Sequence, residues 1–141
     1  MIQANEIKVG NIFHNNSSGL NFTVTKENIS DVLNNLELKL MSNPPKDIIV
    51  GVPLTEEILL KCGFKRNTYQ HFEFGEYVYF TYEIDCNYEL SINIGKGVKR
   101  LSIDFFDGDK NSTVPINNIK YLHQLQNLYF ALTNQELQIN L

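Results

Sequence analysis

Residues 119–133, IKYLHQLQNLYFALT, decide the fold. Tyr121, Leu122, Leu125, Leu128, Tyr129 and Leu132 recur at helical spacing and share one face, while Lys120, His123, Gln124 and Asn127 fall opposite. Apolar residues repeating every three to four positions mark an amphipathic α-helix, because its side chains return to the same face after one turn. Such a helix needs an apolar surface to cover.

Residues 69–106 supply a candidate surface. Phe72 and Phe74 alternate with His71 and Glu73, and Val78, Phe80, Tyr82 and Ile84 alternate with Tyr77, Tyr79, Thr81 and Glu83. Leu90, Ile92 and Ile94 alternate with Glu89, Ser91 and Asn93, and Leu101, Ile103 and Phe105 with Arg100, Ser102 and Asp104. Gly75, Asp85-Cys86-Asn87 and Gly95-Lys96-Gly97 punctuate these runs. A period of two between turn residues predicts an antiparallel meander with one apolar and one polar face. The helix at 119–133 is expected to cover the Phe80, Tyr82, Ile92 and Ile103 side. Leu137, Ile139 and Leu141, alternating with Gln138 and Asn140, read as a short edge strand.

A second helix is specified at 56–62. Thr55 is a good N-cap, Glu56 and Glu57 suit the positive end of the helix dipole, and Leu54 and Leu59 occupy the staple positions. Gly63 stands where a left-handed residue ends a helix, and Phe64 can fold back on Leu59.

The first fifty residues read as short strands. Ile12-Phe13 and the run Leu20, Phe22 and Val24 flank the turn cluster Asn15-Asn16-Ser17-Ser18-Gly19, as in a β-hairpin. Residues 26–35 fit a short helix or a loop. Leu36, Leu38 and Leu40 alternate with Glu37 and Lys39 as a strand, Pro44-Pro45 breaks it, and residues 48–52 form a further strand. The expected fold class is therefore α+β. A small β-barrel-like subdomain at 1–52 precedes a sheet-and-helix half at 53–141.

Composition narrows the function classes. The chain has 141 residues, 43% hydrophobic and 20% charged, which suits a packed core and argues against wholesale disorder. A net charge of -4 argues against non-specific nucleic-acid binding, which needs a basic footprint. Cys62 and Cys86 are too few for a disulfide scaffold, the opening residues carry no apolar signal region, and no apolar run reaches membrane-spanning length. The expected setting is the cytoplasm, with no membrane and no cofactor.

Chemistry-bearing patterns are few. Asp107, Asp109 and Asn111 open like an EF-hand loop, but Ser112 and Asn118 stand where that loop needs Gly and Glu, so an Asp-Gly turn is the simpler reading. His14, His71 and His123 are scattered, and no zinc-ligand spacing occurs. Glu83, Asp85 and Glu89 flank one hairpin and read as solvated charges. Lys96, Lys99 and Arg100 form the one local basic cluster, a candidate anion contact near Tyr77, Tyr79 and Tyr88. Ile119, His123 and Phe130 lie off the main apolar face of the C-terminal helix and are the candidate partner contact.

Two segments carry a family likeness. Residues 53–64, PLTEEILLKCGF, and residues 119–133 followed by Gln135-Glu136-Leu137 resemble a family of small uncharacterised proteins from phages, prophages and mobile elements of Bacteroides-type bacteria. The opening at 4–11, ANEIKVGN, is similar too, and the likeness spans most of the chain. Asn134 departs from the expected Gly, although Asn tolerates the same left-handed backbone. The resemblance implies a mobile-element context and an opening subdomain like a small SH3-type barrel. It supplies no catalytic residue. The leading expectation is a non-enzymatic protein-interaction module that binds an unidentified protein or itself. The alternatives are an enzyme with an acidic, metal-dependent site around Asp104, Asp107 and Asp109 or around Glu83 and Glu89, and a weak nucleic-acid-binding or virion-associated protein.

Overall fold

The computed structural model describes residues 2–41, 48–95, 98–107 and 110–140, and the chain divides into two units. The first comprises Met1–Pro53 and Tyr121–Glu136, the second Leu54–Lys120 and Leu137–Leu141. The class is mixed α+β, with two open antiparallel sheets.

In the first unit, strands β1 (Ile12–Asn15) and β2 (Leu20–Thr23) form the expected hairpin, with Phe13 opposite Phe22. Asn15 shapes the turn: its Oδ1 accepts from the backbone N–H of Ser17 at 2.8 Å and of Ser18 at 3.2 Å, and Gly19 takes the left-handed φ of +70°. Strand β3 (Ile49–Gly51) pairs with the other edge of β1, giving the order β2-β1-β3. This sheet is open, and no closed barrel forms among the described residues. One reason is that residues 36–40, expected as a strand, belong to helix α1 (Ile29–Met41). Its start is written in the sequence: Asn28 N–H donates to Thr25 Oγ1 at 3.3 Å, and Thr25 N–H donates to Asn28 Oδ1 at 2.8 Å, a reciprocal cap. The alternation of Leu36, Leu38 and Leu40 is too short to outweigh the spacing of Ile29, Val32, Leu33, Leu36 and Leu40, which is helical. Phe13, Val24, Val32 and Ile49 form one buried cluster, with Ile2, Ile7, Phe22, Ile29 and Ile48 packed on it.

Helix α2 (Leu122–Thr133) completes this unit. Its start is tied to the residues just after β3: Leu122 N–H donates to Val52 O at 2.8 Å, and Pro53 bridges Tyr121. The Tyr121 ring lies on Gly51, where a Cβ would come within 2.6 Å of its Cγ. Asn134 ends the helix with φ of 56° and ψ of 26°, the left-handed stop for which Gly is the usual residue. Within its own unit, the hydrogen bonds and packing of this helix run to β1 and to the 3-10 turn at Ala4–Glu6.

In the second unit, helix α3 (Glu56–Lys61) has the caps its sequence specifies. Ile58 N–H donates to Thr55 Oγ1 at 3.3 Å, Gly63 takes φ of +86°, and Phe64 N–H returns to Leu59 O at 3.0 Å. Leu59 and Phe64 are both buried. The sheet is a five-stranded meander of β4 (Lys65–His71), β5 (Gly75–Asp85), β6 (Tyr88–Gly95), β7 (Val98–Asp107) and β8 (Lys110–Ile116), in that order. Phe80, Ile92 and Leu101 align across three strands, as do Tyr82, Leu90 and Ile103. All but Tyr82 are buried. The Phe64 ring meets that of Tyr82 at 5.2 Å. The final segment is not a strand: Leu137 is buried, and Asn140 N–H donates to Lys61 O at 2.9 Å. Leu141 lies outside the described residues. No helix among the described residues is long and apolar enough to cross a membrane.

Candidate functional site

Among the described residues, the first hairpin of the meander carries the most exposed large apolar side chain, Phe72. Tyr69 pairs with Tyr77, Gln70 with Glu76 and His71 with Gly75, so the loop is the three residues Phe72-Glu73-Phe74. Gly75 takes φ of +78°, the left-handed residue that closes a three-residue hairpin loop. The geometry leaves the loop's two aromatic residues and Tyr69 of β4 uncovered: Phe72 is 90% exposed, Phe74 62% and Tyr69 60%. Phe72 and Phe74 were expected in a strand on the apolar face. They occupy the turn instead, because the strand ends at His71.

His71 organises this tip. Its ring stacks on Phe72 with centroids 4.9 Å apart and planes 17° apart, and lies 4.9 Å from Phe74 and 6.4 Å from Tyr69. Glu73 N–H donates to His71 Nδ1 at 3.2 Å, which makes Nδ1 an acceptor and leaves the proton of the neutral ring on Nε2. The tip is acidic: Glu73 and Glu76 lie within residues 69–77, which contain no Lys or Arg.

The residues singled out from sequence fare differently. His123 is fully buried, so it is no surface contact; its ring stacks on Tyr121 and lies 4.7 Å from that of Phe13. Its Nε2 sits 3.5 Å from Glu6 Oε2, Nδ1 has no hydrogen-bond partner, and burial lowers its pKa against the opposing pull of Glu6. Gln126 and Asn127 explain why a polar side of α2 is inside. Gln126 accepts from Ile12 N–H at 3.0 Å and donates to Gly10 O at 2.9 Å, while Asn127 donates to Glu6 O at 2.7 Å and accepts from Asn11 Nδ2 at 3.0 Å. Phe130 is 37% exposed, with Lys8 Nζ 3.7 Å from its ring centroid, a cation–π contact within its own unit. Ile119 is half-buried.

The basic cluster is described only in part. Lys96 lies outside the described residues, Lys99 is placed only as a register position opposite Ile94, and Arg100 is exposed opposite Asn93. Tyr79 shares the Arg100 row through Asn93, whereas Tyr88 pairs with Phe105 among the apolar positions. Of the acidic candidates, Asp109 lies outside the described residues, and Asp107 is placed only as a register position opposite Lys110. Glu83, Glu89 and Asp104 do align directly across β5, β6 and β7. Partial burial, then Asp104 and Glu83, raise the Glu89 pKa, so the row behaves as mutually repelling carboxylates. Among the described residues no group of three or more His, Cys, Asp or Glu side chains is arranged to hold a metal ion.

A pocket of about 450 Å³ lies beside the end of β5, lined by Cys62, Lys65, Tyr82, Glu83, Asp85 and Asn140 among others. Burial pushes the Cys62 thiol up to about 11, which keeps it protonated and unreactive. Asp85 is committed to the turn, where its Oδ1 accepts from Asn87 N–H at 2.7 Å.

No family model, no curated protein and no solved structure matches this chain.

The hairpin tip escapes a periodicity reading because F-x-F imitates a strand. One signal was available: the residues of YQHFEFGEY are arranged almost symmetrically about Glu73, with Gly75 in the position that a three-residue loop requires.

Proposed function

We propose that the chain is a non-enzymatic protein-interaction module of phage or mobile-element origin, and that the β4–β5 hairpin tip is its working surface. The observation that carries this reading is the exposure of Phe72 at 90% beside Phe74 at 62%. Single exposed apolar residues are ordinary, but a contiguous aromatic patch is the kind of surface that partners bury. Burying two Phe side chains contributes about 3–6 kcal/mol before the costs of association. Aromatic anchors of this kind dominate measured interface energies. The mobile-element context rests on the resemblance carried by residues 53–64 and 119–133. Two free cysteines, one of them exposed, suit a reducing cytoplasm.

A photo-crosslinking amino acid at position 72, expressed in the cell that encodes the chain, tests the proposal. A discrete adduct from position 72, absent with the crosslinker at exposed Asn111 on β8, is the expected result. The same adducts from both positions, or none from position 72, would overturn it.

A further inference from the structure

We infer that the tip's partner is a cationic segment of a protein, with Arg or Lys side chains set among apolar ones; this rests on the tip being the working surface. Two features of the tip ask for the same ligand. The first is the aromatic cluster: Tyr69, Phe72 and Phe74 are exposed around the half-buried His71 ring, and aromatic rings attract guanidinium and ammonium groups through their faces. The second is charge. Glu73 sits between the two Phe residues and Glu76 one residue beyond Gly75, and among the described residues neither carboxylate has an ion pair.

The chain's own cations on this strand are elsewhere. Lys65 and Arg66 stand at the opposite end of β4, and Arg66 is bound to Glu56 at 3.0 Å. The tip therefore presents apolar rings flanked by unneutralised negative charge. A nucleic acid or an anionic membrane would meet like charge there. A second copy presenting the same tip would do so as well. A basic, apolar protein segment meets complementary charge and a stacking surface together.

A random linear peptide library displayed on yeast, selected with the full-length chain, is the probe. Enriched peptides are expected to combine Arg or Lys with aromatic or aliphatic residues. Fluorescence anisotropy with one such synthetic peptide then separates the contributions. Phe72→Ser/Phe74→Ser is expected to raise Kd about tenfold or more. Glu73→Gln/Glu76→Gln is expected to raise it about threefold and to flatten its dependence on salt. Circular dichroism melts of both variants should match the parent, since all four residues are exposed at the hairpin tip.

Enriched peptides without cationic residues, or an unchanged Kd in the Glu73→Gln/Glu76→Gln variant, overturn the cationic partner while leaving the tip as the working surface. Peptides that bind Phe72→Ser/Phe74→Ser as tightly as the parent overturn the tip itself. No enrichment, cosedimentation with phosphatidylcholine vesicles that depends on Phe72 and Phe74, or a dimer in light scattering that depends on them also overturns the inference.

Discussion

Replacing Gln126 by Leu tests whether the polar side of α2 truly lies inside. Leu fills nearly the same space, so packing is almost conserved and the change falls on hydrogen bonding. The Gln126 amide serves two backbone groups of the first unit, accepting from Ile12 N–H at 3.0 Å and donating to Gly10 O at 2.9 Å. Ile12 is 5% exposed and Gln126 itself 2%, so water cannot replace the lost amide without rearrangement. Each buried group left without a partner costs about 1–3 kcal/mol. Greater apolar burial by Leu offsets part of this, leaving a net loss of about 3 kcal/mol. For a chain of this size that is a fall in Tm on the order of 10 °C. Urea unfolding followed by far-ultraviolet circular dichroism gives the free energy, with Gln70→Leu on exposed β4 as the comparison, expected within about 0.5 kcal/mol of the parent. If Gln126→Leu is as stable as Gln70→Leu, the amide faces water, and the account of how α2 is held to β1 is wrong.

Three further outcomes follow from packing and charge. Gly51→Ala drives a methyl into the Tyr121 ring, 2.6 Å from Cγ, and should cost about 1–3 kcal/mol, with the loss reduced in a Tyr121→Ala background; equal loss in both backgrounds would deny the contact. Burial holds His123 below its ordinary pKa, so the unfolded chain binds its proton first: stability is full above about pH 6.5, falls as pH drops from there through the lowered native value, and then levels, whereas His123→Gln should remove that slope from a pH series of melts. Glu89 is held above its ordinary pKa, so the native state keeps its proton longer and loses stability as pH rises through that raised value; Glu89→Gln should therefore stabilise at pH 7 by about 0.5 kcal/mol, with the gain vanishing in acid, and a destabilised variant at pH 7 would contradict repulsion along the carboxylate row.

Legibility followed the strength of local signals. The second-unit helix at Glu56–Lys61 was readable because cap, dipole and stop residues agree within a few positions. Strands β5, β6 and β7 were readable because one face of each is apolar, and that face is buried at Phe80, Leu90, Ile92, Leu101 and Ile103. The outer strands were not: β4 (KRNTYQH) and β8 (KNSTVPI) carry almost no apolar alternation, and Pro115 in β8 reads as a breaker although an edge strand tolerates it. Helix α1 was legible only in its first half: residues 26–35 fit a short helix or a loop, but the three alternating Leu residues after them satisfy two periods at once, and the Thr25–Asn28 cap is the signal that decides for the helix. In α2 the helix was legible, but its surroundings were not. Periodicity sorts residues by polarity, and His123 and Gln126 are polar yet buried because their partners come from residues 6–12, more than a hundred positions away in the chain.

The same contrast bears on the hairpin tip. The second unit buries Phe80, Leu90, Ile92, Leu101 and Ile103 along the sheet, and Leu59, Phe64 and Leu137 are buried as well, whereas Phe72 and Phe74 are exposed. A three-residue loop closed by a left-handed Gly75 tolerates polar residues at its centre, and folding alone is indifferent to their replacement. The cost of two exposed Phe residues falls on solubility, where a contiguous patch promotes association. On the proposed reading, what those rings contribute beyond their contacts with His71 lies in the partner that covers them. That separates the tip from the Phe130 flank of α2. There Lys8 already lies on the ring and Glu136 holds Lys8 at 3.2 Å, so the less exposed Phe130 is provided for within its own unit.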